Sequence, residues 1–162
     1  MKDELFLRGA QVPMTKEAVR ALALAKLELH RARHLIDIGA GTGSVSIEAA
    51  LQNPALRVTA IERQADALRL LAENRQRFGC DNIAIVAGVA PLAVADKADA
   101  IFMGGSGGHL TALIDWSLAQ LHRGIRAAAG VFLRHRRQPR AQPRSLARPA
   151  SWRWAGRTSP LA

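Results

Sequence analysis

The chain holds one cysteine, Cys80, among its 162 residues. That excludes an intrachain disulfide and leaves no sign of an oxidising compartment; a lone thiol beside a helix end reads as structural. No segment approaches the roughly 20 apolar residues a membrane span needs. The first residues, Met1-Lys2-Asp3-Glu4-Leu5, place acids where a secretory signal requires cations. A soluble, cytoplasmic chain with no membrane role is the expectation. The sequence also lacks an evident carboxylate dyad or cluster of metal ligands, so no metal is expected and no catalytic acid or base is assigned. Lysine and acids are both missing from residues 123–162.

That last absence decides how the charge is read. The net charge of +10 would invite a nucleic-acid partner. All 13 acids, and 13 of the 23 basic residues, fall in residues 1–122, which are therefore balanced. The excess is ten arginines in residues 123–162. Two domains of composition follow: a body over 1–122 and an Arg/Ala/Pro-rich tail over 123–162, expected to be disordered.

In the body, helical and strand patterns alternate. The spacing of Val19, Leu22, Ala23 and Leu27 predicts a helix over 15–27 with Thr15 as N-cap. Short apolar runs over 34–38, 57–62, 82–86 and 97–103 suit buried strands. Helices are predicted over 44–52, stopped by Asn53-Pro54, and over 66–78, ended by Gly79 with Leu68, Leu71 and Phe78 on one side. A last helix over 109–122 turns Leu110, Leu113, Ile114, Leu118 and Leu121 inward. This order predicts an α/β fold, Rossmann-like, with a mostly parallel sheet and helices on both faces. Ligands on such sheets sit beyond the carboxyl ends of the strands, where the strand order reverses.

The unusual residues fall there. Asp37-Ile38-Gly39-Ala40-Gly41-Thr42-Gly43 follows the first strand and opens a helix. Glycines let the backbone turn sharply and approach a ligand, although three of them can also make a plain tight turn. The spacing is Gly-x-Gly-x-Gly, and pyrophosphate binding does not call for a carboxylate such as Asp37 in the turn. An ammonium group does. S-adenosylmethionine fits better than a dinucleotide. Glu62 ends the second strand, where an acid can accept hydrogen bonds from both ribose hydroxyls; seen alone it could equally be a solvated loop residue. Ala90, in Gly88-Val89-Ala90-Pro91, would line an adenine pocket. The loop Gly104-Gly105-Ser106-Gly107-Gly108-His109 has more glycine than a connection requires and reads as floor and wall of the cleft. His109 is a hydrogen donor or proton carrier there, or a solvated helix-start residue.

Val12-Pro13-Met14-Thr15, the Asp37–Gly43 turn, Ala60-Ile61-Glu62-Arg63, Gly88-x-Ala90-Pro91 and the Gly104–Gly108 loop occur together, in order. In this the chain resembles the cobalt-precorrin-6B C15-methyltransferase (decarboxylating) family of cobalamin biosynthesis, over residues 3–122. The resemblance implies a class I S-adenosylmethionine-dependent methyltransferase fold with its C-terminal strands missing or altered. It implies donor contacts at Thr15, Gly39, Ala40, Gly41, Thr42, Gly43, Glu62 and Ala90, to which the reading of the turn itself adds Asp37. The implied reaction is methyl transfer to C15 of a corrin precursor, a tetrapyrrole, with loss of carbon dioxide from the C12 acetate. A homotetramer, and a C5-methyltransferase working alongside, belong to the same implication. Relatives tend to carry an acid where this chain has Val89, which leaves adenine to backbone contacts and predicts weaker donor binding.

The resemblance stops near His122. Beyond it, Arg, Ala, Pro and Gly supply 25 of 40 residues, all with G/C-rich codons, as a shifted reading frame would produce. The competing reading is a basic arm whose Arg134-His135-Arg136-Arg137 and Trp152/Trp154 bind RNA, making the protein an RNA methyltransferase. An inactive, donor-binding remnant is the third. A fifth strand has one candidate, within 128–134; without it residues 98–103 would form an open apolar edge.

Overall fold

The computed structural model describes residues 1–105 and 107–122, and the backbone of 130–131. Five parallel strands, β1 (His34–Ile38), β2 (Arg57–Glu62), β3 (Ile83–Ala87), β4 (Ala100–Met103) and β5 (Gly130–Val131), are ordered β3-β2-β1-β4-β5. The order reverses between β1 and β4. Among the described residues, α1 (Glu17–Leu27) precedes β1, while α2 (Ser44–Gln52), α3 (Ala65–Arg77) and α4 (Leu110–Gln120) follow β1, β2 and β4.

Period-two alternation splits the core into two layers. Leu35, Val58, Ala60, Ala100 and Phe102 pack with α1 and α2. Ile36, Ile38, Ile61, Ile101 and Met103 pack with Leu113 of α4 and with Leu121. All residues of β1 and β4 are buried, as central parallel strands require. The β3 strand forms one edge and is half exposed.

The strands and helices stand close to their expected ranges, but three helix faces differ. The buried stripe of α1 is Arg20, Ala23, Leu24 and Leu27, while Val19 and Leu22 are exposed. The first member of that stripe is charged, so counting apolar residues alone turns the helix by one position. Thr15 is not the N-cap; Lys16 is, and it supplies no side-chain cap. On α3 the buried residues are Ala67, Leu70, Leu71 and Asn74, with Leu68 and Phe78 only partly covered. On α4, Leu113 and Ser117 are buried, whereas Ile114 and Leu118 face outward.

After α4 the chain turns back beside β4. Leu121 bridges Ala98 in parallel, with His122 N donating to Ala98 O at 3.1 Å. Gly130 and Val131 then pair with Phe102 and Met103. The fifth strand is therefore made within the 128–134 candidate, over two residues. The rest of the tail, including the arginine tract and Trp152/Trp154, lies outside the described residues.

Candidate functional site

Two glycine turns meet at the carboxyl ends of β1 and β4. Gly39, Gly41 and Gly43 have φ of 72°, 58° and 81°, which only glycine adopts without strain. Backbone bonds from Gly39 N and Ala40 N to Ile61 O, at 2.9 and 3.1 Å, anchor this turn to β2. Gly104 N donates to Ile38 O at 2.8 Å. A Cβ on Gly104 would lie 2.8 Å from Gly39 O, and one on Gly39 would lie 3.3 Å from Gly105 N. The two turns touch backbone to backbone, and no larger residue fits between them.

Glu62 closes one side. Its Oε2 accepts from Gly41 N at 2.8 Å, and its Oε1 from Arg63 N and Gln64 N at 2.7 and 2.9 Å. A carboxylate has about four acceptor positions. Three backbone donors thus fix Glu62, a residue that lines the cleft, and leave acceptor capacity on Oε2. The signal for this rigidity is local: an acid at a strand end, two residues before the α3 N-cap Gln64, accepts from the next two backbone amides.

Asp37 is buried on β1. Its Oδ2 accepts from the Ser46 hydroxyl at 2.5 Å, while Oδ1 has no protein partner. Burial raises its pKa from 3.8 to about 6; Ser46 opposes the rise and the charge of Glu62 adds to it. Thr42 Oγ1 is likewise buried without a partner. The two unpartnered polar atoms flank the glycine turn.

A cleft of about 300 Å³ opens between these parts, at the small end for a ligand site. Of the predicted residues, Gly39, Gly41, Glu62, Ala90, Gly104, Gly105, Gly107 and His109 line it. Thr15, Asp37, Ala40, Thr42, Gly43 and Gly108 are not on its walls. Gly43 acts from behind as the α2 N-cap, and Thr15 is held through its carbonyl by Arg20 Nη1 at 2.6 Å. His109 is exposed at the α4 N-cap and makes no capping bond. Ser106 lies outside the described residues. The Ala90–Pro91 peptide is cis.

Sequence reasoning missed Pro13, Ile38, Ile61, Arg63, Gln64, Ala67 and Leu113, which also line the cleft. Ile38, Ile61 and Leu113 are ordinary core residues by pattern, and only the fold shows that their layer ends at the opening. Arg63 and Gln64 were adjacent to a predicted site acid, which was the available signal. Among the described residues no group of side chains could hold a metal ion, and no helix is long and apolar enough to cross a membrane.

Comparison with known proteins identifies a family. A precorrin methyltransferase domain matches residues 4–137, running beyond His122 and over β5. The cobalt-precorrin-6B C(15)-methyltransferase (decarboxylating) of Salmonella typhimurium is 76% identical over 126 residues, covering 78% of this chain and 66% of that protein. Among solved structures, precorrin-6y C5,15-methyltransferase from Geobacter metallireducens matches with a TM-score of 0.70 at 36% identity, covering 75% of this chain and 65% of that one. Precorrin-8w decarboxylase from Methanobacterium thermoautotrophicum matches with a TM-score of 0.71 at 32% identity, covering 78% and 69%. The chain therefore spans just under two thirds of the length of the Salmonella and Geobacter relatives.

Proposed function

The chain belongs to the precorrin methyltransferase family, and from that premise we propose that it methylates C15 of cobalt-precorrin-6B and removes the C12 acetate carboxyl as carbon dioxide. The methyl donor in this reading is S-adenosylmethionine, and the pathway is cobalamin biosynthesis. The observation that carries it is Glu62, a buried carboxylate fixed by three backbone amides beside a glycine turn, with acceptor capacity left at the cleft.

The residues present fit that donor. Glu62 would accept from the ribose hydroxyls, and Gly39 and Gly41 would let the backbone approach without a side chain in the way. The unpartnered Oδ1 of Asp37 offers a buried acceptor on the side where an ammonium group belongs. Ala90 and Val89 would flank adenine, and Thr15, Ala40, Thr42 and Gly43 would hold the turn in shape. When bound, S-adenosylmethionine supplies an activated methyl group. The protein's part is alignment, which is what methyl transfer most requires. Gly104, Gly105, Gly107 and His109 line the wall on which the tetrapyrrole would lie, and Ser106 and Gly108 of the same loop would join them there. Ile38, Ile61 and Leu113 keep that end of the cleft apolar, and a dry surface favours decarboxylation into an electron-poor macrocycle. Assembly as a homotetramer in the cytoplasm, with a C5-methyltransferase acting on the same intermediate series, completes the reading.

Calorimetric titration with S-adenosylhomocysteine tests it directly. One site per chain is expected, and Glu62→Gln should weaken binding at least about 30-fold by losing charge-assisted hydrogen bonds. Incubation with the precorrin should yield a product heavier by a methyl group and lighter by carbon dioxide. Absence of analogue binding by a folded chain overturns the proposal.

A further inference from the structure

Among the described residues Arg20 is the largest side chain with no solvent exposure, and it stands at the head of the apolar stripe of α1. Enclosing a guanidinium is costly, and a well-packed apolar residue at such a place is often as stable or more so. Its use lies in its reach. Nε donates to Glu48 Oε2 of α2 at 2.6 Å. Nη1 donates to Asp3 Oδ1 at 3.1 Å and to Thr15 O at 2.6 Å, and Nη2 donates to the Met1 carbonyl. The guanidinium also lies over the Phe6 ring, 5.0 Å from its centre. One planar fork therefore joins α1, α2, the N-terminal segment and the approach to α1.

That approach bears on the cleft. Pro13 lines it, and a Cβ on Gly41 would lie 2.6 Å from Pro13 O. Ser44, the first residue of α2, points its hydroxyl at Thr15 O, 3.5 Å away. Gly41 N is in turn bonded to Glu62. A continuous path of contacts runs from Arg20 through Thr15 and Pro13 to Gly41. Arg20 touches neither the cleft nor anything in it.

We infer that Arg20 is a positioning residue for the methyl-donor site. It fixes Pro13–Thr15 over Gly41 and thereby sets donor affinity; this rests on the donor reading above. Lysine keeps the charge but presents a single ammonium in place of the fork, and cannot hold Glu48, Asp3 and Thr15 at once.

The test is titration of wild type, Arg20→Lys and Leu22→Ala with S-adenosylhomocysteine, at a temperature where circular dichroism shows each variant folded. Arg20→Lys is expected to bind at least about tenfold more weakly. Amide exchange should accelerate at Met14, Thr15 and Gly41 but not in β2. Leu22→Ala, on the exposed face of the same helix, should match wild type. A purely structural role would lower the melting temperature and leave the affinity of the folded protein alone. Folded Arg20→Lys binding within twofold of wild type overturns the inference and leaves the donor reading standing. A wild type that does not bind the analogue overturns the donor reading and the inference with it. Should Arg20→Lys fail to fold, Asp3→Asn, which spares the Arg20–Glu48 pair, should weaken binding about threefold, and unchanged affinity there overturns the inference.

Discussion

The side-chain amide of Asn74 donates to the carbonyl of Thr42 at 3.0 Å, from a position on α3 with no exposure. The same amide donates to Leu7 O at 3.0 Å, and Asn74 Oδ1 accepts from Leu7 N at 2.8 Å. One residue thus ties the glycine turn to the N-terminal segment. Asn74→Leu, close in volume, would leave the Leu7 amide and two carbonyls without partners. At about 1–3 kcal/mol for each buried group left unpaired, partly offset by added apolar burial, we expect a loss of about 3–5 kcal/mol. Urea unfolding of the two proteins measures it, and a loss under about 1 kcal/mol would show that water replaces the amide.

Gly43 and Gly79 separate backbone strain from crowding. Both have positive φ, 81° and 63°. A Cβ on Gly43 would lie 2.2 Å from Leu71 Cδ1, whereas one on Gly79 meets nothing within 4 Å. Gly79→Ala should cost only the left-handed conformation, about 1–2 kcal/mol. Gly43→Ala adds overpacking against a fully buried leucine, for a total of about 2–5 kcal/mol. Equal midpoints for the two variants in denaturant would refute the crowding argument.

The sequence disclosed the fold because each strand is a short apolar run closed by a turn, and because the helices between have clear breakers at Asn53-Pro54 and Gly79. It disclosed the glycine turns and Glu62 because those residue types are unusual where they stand. It did not disclose Arg20 or Asn74. Both are polar residues at core positions, and a reading by apolar period passes over them or rotates the helix to avoid them. The cleft residues Ile38, Ile61 and Leu113 were hidden for the opposite reason, since nothing distinguishes a core side chain at the end of a layer from one in its middle.

Val89 is a change expected to improve the site. It is 58% exposed and lines the cleft beside Ala90, where adenine is proposed to lie. Val89→Asp would supply an acceptor for the exocyclic amine of adenine. A net gain of about 0.5–1.5 kcal/mol for one hydrogen bond corresponds to about 2–12-fold tighter binding of S-adenosylhomocysteine. S-inosylhomocysteine, which lacks that amine, should gain nothing. Equal gains for both analogues would mean that the aspartate acts through general charge.

Asp37 should make stability depend on pH in the direction opposite to a paired carboxylate. Its folded pKa, raised from 3.8 to about 6 chiefly by burial, means that the folded chain holds the proton more tightly than the unfolded one. Below about pH 4 both states are protonated and the residue costs nothing. Between about pH 4 and 6 the unfolded chain ionises first, so stability falls as pH rises. Above about pH 6 the penalty is complete, about 3 kcal/mol. The amide introduced by Asp37→Asn cannot ionise, so the variant's stability relative to wild type should climb by about that amount between pH 4 and pH 7.5, whatever constant offset the amide brings. Urea unfolding at both pH values checks the slope, and parallel curves would place the Asp37 carboxyl in water. The same substitution should weaken S-adenosylhomocysteine, because the buried anion that costs stability is the one proposed to meet the donor's ammonium group. A relative stability that climbs with pH, together with a loss of affinity, is the expected pairing for a functional buried charge.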